Sequence, residues 1–187
     1  MLALYDRKNF QKKRKETMAI EQAREALRRW GAEGRILELP ASSATVELAA
    51  KALCCEPAHI AKTLAFHAKE QVLLIVMAGD ARVGNQKYKA RFGAKAAMLP
   101  FDRTEQAGGH APGGICSFGR KPGIPVYLDV SLRRFSTVYP ACGSANSAIA
   151  LTIPELERYA GPVDWVDVWS ECNYRTWKNP VISMVCK

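Results

Sequence analysis

Three short segments of this chain carry groups that can do chemistry and that packing alone does not ask for. The segment AKTLAF puts Lys62 at the mouth of an apolar strand, flanked by Ile60, Ala61, Leu64 and Phe66. An ammonium there acts in a partly desolvated setting, where a charge counts for more than in water. HAPGGICSFG supplies Gly113 and Gly114 after Pro112. Lacking Cβ atoms, they let the backbone approach a ligand closely or adopt positive φ, aiming consecutive N–H groups at a carbonyl oxygen or an oxyanion. YPACGSANSAIALT offers Gly143, Ser144, Ala145 and Asn146 as a second turn of this kind, with an amide that can orient a ligand group or a water. Each segment also has a plainer reading. A lysine at the start of a strand is commonly exposed to solvent, and loop glycines are commonly simple turns.

Other chemistries lack their marks. There is no G-x-S-x-G elbow, no cysteine and histidine spaced as a nucleophile pair, and no carboxylate pair for acid and base work. Asp129 is the acidic residue nearest these landmarks and can serve to support a loop. The six cysteines include the adjacent Cys54 and Cys55 and no C-x-x-C pair, and His59, His67 and His110 are scattered. A zinc site needs three or four converging ligands, so neither a metal nor another cofactor is expected. Without a secretory signal, reduced thiols in a cytoplasmic protein are the simpler expectation.

The order of the landmarks resembles the YbaK/EbsC family of aminoacyl-tRNA editing deacylases, related to the insertion domain of bacterial prolyl-tRNA synthetases. The similarity runs from about Ile20 to about Trp169, through SSATVELAAKAL, IAKTLAF, the diglycine loop, LDVSL and ACGSANSAIALTIPEL. Many relatives carry proline shortly after the diglycine, as GG-x-x-P, where this chain has Ser117. The resemblance implies that Lys62 lies in a pocket for the 3′ end of tRNA and that the diglycine loop forms a substrate wall. The candidates are then Lys62, Gly113 and Gly114 for catalysis. Thr45, Ile115, Asp129, Gly143, Ser144 and Asn146 are the candidates for substrate binding. The implied activity is hydrolysis, in trans, of a small amino acid such as alanine or cysteine from tRNA-Pro or a related mischarged tRNA. A synthetase is a possible partner. A non-catalytic tRNA-binding module of the same fold is the alternative.

These segments need elements to hold them. Met18 to Trp30 has helical apolar spacing and ends at Gly31; Arg35 to Leu39 reads as a strand. Thr45 can cap a helix running through Leu53 with Leu48, Ala49 and Ala52 inward, and Pro57 suits a first helical position. Lys62 to His67 and Gln71 to Ala78 form a hairpin around a turn at Ala68 to Glu70. NQKYKARF is a basic helix stopped by Gly93, with a short strand around Lys95 to Met98, and Asp102 with Glu105 opens another helix. Val126 to Asp129, Thr137 to Ala141, Ala148 to Thr152 and Val163 to Val168 complete the strands, and Pro154 opens a helix through Tyr159. Strands and helices interleave without a regular βαβ repeat. The expected fold is α+β, a mixed, partly antiparallel central sheet or open barrel with peripheral helices, which is also what the resemblance implies.

At 187 residues and 48% hydrophobic content the chain is one domain by length. Its longest apolar run, Val72 to Ala78, is far short of the roughly 20 residues of a membrane helix. The net charge is +9. Residues 1–17 read as a basic leader with six Lys and Arg against Asp6 and Glu16, residues 18–169 as the editing-type domain, and 170–187 as an extension. A basic surface favours polyanions, and Lys87, Lys89 and Arg91 on the basic helix are the candidate tRNA contacts.

Overall fold

The computed structural model describes residues 14, 17–40, 43–68, 71–100, 103–104 and 114–170. The Asp102–Glu105 helix start, Gly113, the leader and the extension beyond residue 170 lie largely or wholly outside them.

The centre of the molecule is a hairpin. β2 (Ile60–Ala68) and β3 (Gln71–Ala78) pair antiparallel in unbroken register from Ala61 opposite Ala78 to Ala68 opposite Gln71. β3 is buried from Leu73 to Ala78, because it lies in mid-sheet with both faces covered. On its far side β6 (Val126–Asp129) and then β10 (Asp164–Val166) add in parallel. Beside β2, β7 (Thr137–Pro140) runs parallel and β9 (Leu151–Thr152) antiparallel to it. β5 (Ala97–Met98) pairs with the other end of β2. Two small ribbons flank the sheet: β1 (Leu37–Glu38) with β8 (Ser147–Ala148), and β4 (Arg82–Val83) with β11 (Trp169–Ser170). The α+β class with a mixed central sheet is therefore the fold observed.

The helices around it include α1 over residues 17–28, α2 (Val46–Ala52), α3 (Asn85–Phe92) and α4 (Ile153–Ala160). Thr45 caps α2, its hydroxyl accepting from the Leu48 amide at 3.3 Å. Gly93 ends α3 at φ 71°. α4 opens with a capping box in which Thr152 and Glu155 satisfy each other's backbone amides.

Several boundaries differ from the sequence expectation. Arg35 closes a 3₁₀ turn, so the first strand shrinks to Leu37–Glu38. Ala148 to Thr152 splits into β8 and β9, because its two ends pair with different partners. The strand near Lys95 begins only at Ala97. Val163 to Val168 contributes strand only at Asp164–Val166. On α2 the buried pair is Ala49 and Ala50, while Leu48 and Ala52 are exposed. A two-turn helix lying on one strand end buries only a narrow stripe, packed here against Ile60 and Tyr139. Cys54 is disulfide-bonded, which corrects the expectation of uniformly reduced thiols. Cys55, Cys116 and Cys142 are thiols.

Candidate active site

β2 has two neighbours on one edge and a gap between them. β7 pairs with Ile60 and Ala61, β5 with Phe66 and His67, and among the described residues no strand faces 62–65 on that edge. The Ala65 carbonyl accepts from the Leu99 amide at 2.9 Å on this side. Strand hydrogen bonding alternates with a two-residue period, so the N–H and C=O of Thr63 turn toward the gap as well. A cavity of about 490 Å³ occupies it. Residues of the α2 entry (Ser43, Thr45, Val46) form one wall and Met98, Leu99 and Ile115 another, with Tyr139, Ala141 and Ala148 closing it. The lining is mostly small and apolar, with a few polar groups.

Lys62 lies on this lining and its ammonium is fixed. Nζ donates to the carbonyls of Gly79 at 2.8 Å and Ala81 at 2.6 Å, at the turn that ends β3. The hairpin register brings the β3 turn beside the start of β2, which puts these carbonyls within reach of Lys62. The two carbonyls, with the Asp80 carboxylate nearby, hold the cation in place, so its charge is preorganised. The turn is braced in its own right. Burial opposes ionisation of Asp80, but hydrogen bonds from Arg134 and the field of Lys62 bring its pKa below the ordinary value. Arg134 contacts Asp80 through Nη1 at 2.9 Å and bonds the Ser131 carbonyl through Nε. Gly79 is required for space, since a Cβ there would lie 2.0 Å from the Pro57 carbonyl oxygen.

The two glycine turns meet each other. A Cβ on Gly114 would lie 2.6 Å from both the Cα and the amide nitrogen of Ser144. Close packing of the two loops demands glycine at 114. Gly143 does have positive φ, at 92°, and a Cβ on it would meet the Ala19 carbonyl oxygen of α1 at 2.3 Å. The polar groups of the second loop are engaged internally. Ser144 Oγ lies 2.8 Å from Asn146 Oδ1 and 2.9 Å from Ser147 Oγ. Asn146 Nδ2 donates to the Leu39 carbonyl at 3.2 Å, and Ser43 donates through N and Oγ to the Ala145 carbonyl. This loop therefore sets the segment leading into α2, which walls the cavity.

The other sequence candidates divide. Thr45 and Ile115 line the cavity with Lys62, whereas Gly114, Gly143, Ser144 and Asn146 stand behind its wall. Asp129 is buried away from the lining and accepts from the amides of Ser131 and Val168, both at 2.9 Å. Lys87 and Arg91 form ion pairs with Asp167 and Asp164, at 2.7 and 2.6 Å, and Lys89 is exposed. Ser117 is buried and its hydroxyl has no hydrogen-bond partner among the described residues. Burial pushes the Cys116 thiol up to about 12 and Cys142 up as well, so neither supplies a thiolate at neutral pH. Among the described residues no cluster of His, Cys, Asp and Glu could hold a metal ion.

Thr63 is a lining residue that the sequence does not single out. It is 9% exposed and its hydroxyl has no hydrogen-bond partner among the described residues. Nothing in a threonine midway along a strand signals this; the gap between β5 and β7 exists only in the assembled sheet.

Residues 41–159 match the aminoacyl-tRNA editing domain. The chain belongs to that family. It is 45% identical over 152 residues to the uncharacterized protein YwhH of Bacillus subtilis (strain 168), covering 81% of this chain and 97% of YwhH. A solved structure provisionally described as a trans-editing enzyme for prolyl-tRNA synthetase is 26% identical, with a TM-score of 0.73 over 81% of this chain and 97% of its own. The hypothetical protein APE2540 shares the fold at 24% identity, with a TM-score of 0.68 over 78% and 99% of the two chains. The cavity and the fixed ammonium of Lys62 thus belong to an editing-domain protein, and all of the lining from Ser43 to Ala148 falls within the matched residues. Among the described residues no helix is long and apolar enough to cross a membrane.

Proposed function

We propose that this editing-domain protein is a trans-acting deacylase that cleaves a small amino acid, such as alanine or cysteine, from mischarged tRNA-Pro or a related tRNA. The observation that carries the reading is the cavity at the break in the sheet edge, which Lys62 helps to line while two carbonyls of the β3 turn hold its ammonium. A trans-editing description of a relative with the same fold adds support.

In the reaction a water adds to the ester carbonyl. The carbonyl electrons pass to an oxyanion, the tetrahedral intermediate expels the ribose oxygen, and that oxygen takes up a proton. The products are the free amino acid and uncharged tRNA. An aminoacyl ester is already reactive, so orienting a water beside the neighbouring ribose hydroxyl and stabilising the oxyanion suffice for catalysis. Lys62 supplies a positive charge that needs no reorganisation. The Thr63 backbone offers a donor and an acceptor in the gap for the aminoacyl group. Small apolar walls admit a small side chain and exclude a bulky one. Such a second sieve is needed because one methylene gives a synthetase only about 1–3 kcal/mol of discrimination.

The test is release of free amino acid from a panel of mischarged tRNAs by the full chain. Turnover on one or a few tRNAs bearing small amino acids is expected. Saturable tRNA binding with no release from any member would make the protein a non-catalytic tRNA-binding or synthetase-associated module.

A further inference from the structure

Two faces of the protein are basic, and they differ in what their cations touch. On α3, Lys87 and Arg91 are each paired with a carboxylate. On the face made by the end of α1 and by α4, Arg29 and Arg158 have no carboxylate at ion-pair distance among the described residues. Both instead lie over the indole of Trp30, at 5.0 and 4.3 Å from its centroid. Tyr159 stacks on the same residue, ring centroids 5.8 Å apart and 22° from parallel. The acids of these elements are engaged elsewhere: Glu21 by Arg24, Glu25 by Arg28, Glu155 by Arg35, and Glu157 by the Trp165 indole N–H.

A third guanidinium reinforces the face. Arg120 is satisfied by carbonyls alone, donating to Ile124, Ser117, Ala160 and Gly161, so it retains its charge. Burial and then the neighbouring charge of Arg29 lower its pKa, which sets Arg29 and Arg120 in one positive field. The face is joined to the cavity by its backbone. A Cβ on Gly119 would meet the Gln22 carbonyl of α1, and one on Gly143 the Ala19 carbonyl, so α1 rests on both loops behind the cavity wall.

We infer that the face bearing Arg29, Trp30, Arg158 and Tyr159 docks the sugar–phosphate backbone of the tRNA whose aminoacyl end enters the cavity. This rests on the reading of the protein as a tRNA-editing deacylase. Guanidinium groups held beside an aromatic ring by cation–π attraction keep their N–H donors free to meet phosphate oxygens, in bidentate fashion where the geometry allows. Both charges lie within about 9 Å of each other, since each sits over the same indole. A span of that size suits neighbouring phosphates of one strand. Lys87 and Arg91 of α3 already have carboxylate partners and must surrender them to bind RNA.

The experiment measures affinity of the full chain for unfractionated uncharged tRNA as a function of salt. Arg29→Gln with Arg158→Gln should reduce the slope of log K against log salt by roughly 0.7–0.9 for each phosphate that is no longer neutralised. Lys87→Gln with Arg91→Gln should leave the slope near that of the parent, because both cations are already paired. Arg29→Lys with Arg158→Lys keeps the charges and should keep most of the slope, which separates the effect of charge from that of packing on Trp30. An unchanged slope in the glutamine pair, or a larger drop in the α3 pair, overturns the assignment. Failure of the parent to bind tRNA at low salt also overturns it, and retention of an acidic protein in its place would give the face to a protein partner. A parent that binds with the expected slopes but releases no amino acid leaves this face standing and refutes the deacylase reading alone.

Discussion

The two sides of the cavity are built by different physics. On the β2 side a charged group, Lys62, is carried to the lining and held by two carbonyls. On the side of the glycine loops, backbone meets backbone: Gly114 lies against Ser144, Gly143 lies against α1, and the Ser144 and Asn146 side chains are consumed by hydrogen bonds within the fold. The first side has a functional group to offer a substrate, and the second has geometry. Substitutions on the two sides should therefore move different observables.

The largest effect is expected at Lys62. Lys62→Ala should cut deacylation by roughly 10²–10³-fold, the usual loss for one preorganised electrostatic interaction. It should also lower stability, by roughly 1.5–3 kcal/mol for each lost charge-assisted carbonyl bond, so rates are compared where both proteins are folded. Initial rates on the best mischarged tRNA, with melting curves on the same samples, check this; full activity on every tRNA would remove Lys62 from the mechanism. Next comes Gly143→Ala, where an added Cβ collides with the Ala19 carbonyl at positive φ. Overpacking of this kind costs about 1–3 kcal/mol, so denaturant midpoints should fall and activity should follow stability. Gly114→Val should behave alike, and a loss of activity at unchanged melting temperature in either variant would show that a ligand meets that loop directly.

Smaller effects follow. Asn146→Ala should destabilise by about 1 kcal/mol and loosen the entry to α2, raising KM more than it lowers kcat. The hydrogen bond from Arg35, and those within the capping box, hold Glu155 down at about 2. Because the folded-state pKa lies below the ordinary carboxylate value, this contribution is complete above about pH 4.5 and lost as pH falls toward 2. Glu155→Gln should accordingly flatten the acid limb of the stability profile while leaving the cavity intact. The smallest change is expected for Tyr88→Phe. The Tyr88 hydroxyl is buried without a hydrogen-bond partner among the described residues, and burial raises its pKa to about 12. Its removal should leave stability unchanged or slightly raised in urea titrations.

Much of this molecule is readable from local pattern. The β2–β3 hairpin announces itself by two apolar runs around a polar break, and the caps at Thr45, Gly93 and Thr152 lie where local hydrogen bonding and backbone freedom demand them. Lys62 is legible because a cation beginning an apolar run is conspicuous. Thr63 is not, because it reads as ordinary strand. The exposure of Leu48 and Ala52 on α2 departs from the expected inward face, because periodicity gives the direction of a helix face but not how much neighbouring surface there is to cover it.

Local sequence is enough for the elements, the family landmarks and the types of the reactive groups, since those depend on residues near one another along the chain. Assembly of the sheet alone makes β7 and β5 stop short of each other along β2, opening a cavity where a continuous strand would have sealed the edge. Assembly also sets the glycine loops against each other and against α1, and pairs Lys87 and Arg91 of α3 with carboxylates while Arg29 and Arg158 lie on an indole. Those outcomes depend on meetings between residues far apart in the chain: Gly114 with Ser144, Lys87 with Asp167, Arg158 with Trp30. Local propensity holds no information about such pairs, because their distances are fixed only when the whole sheet and its covering helices close.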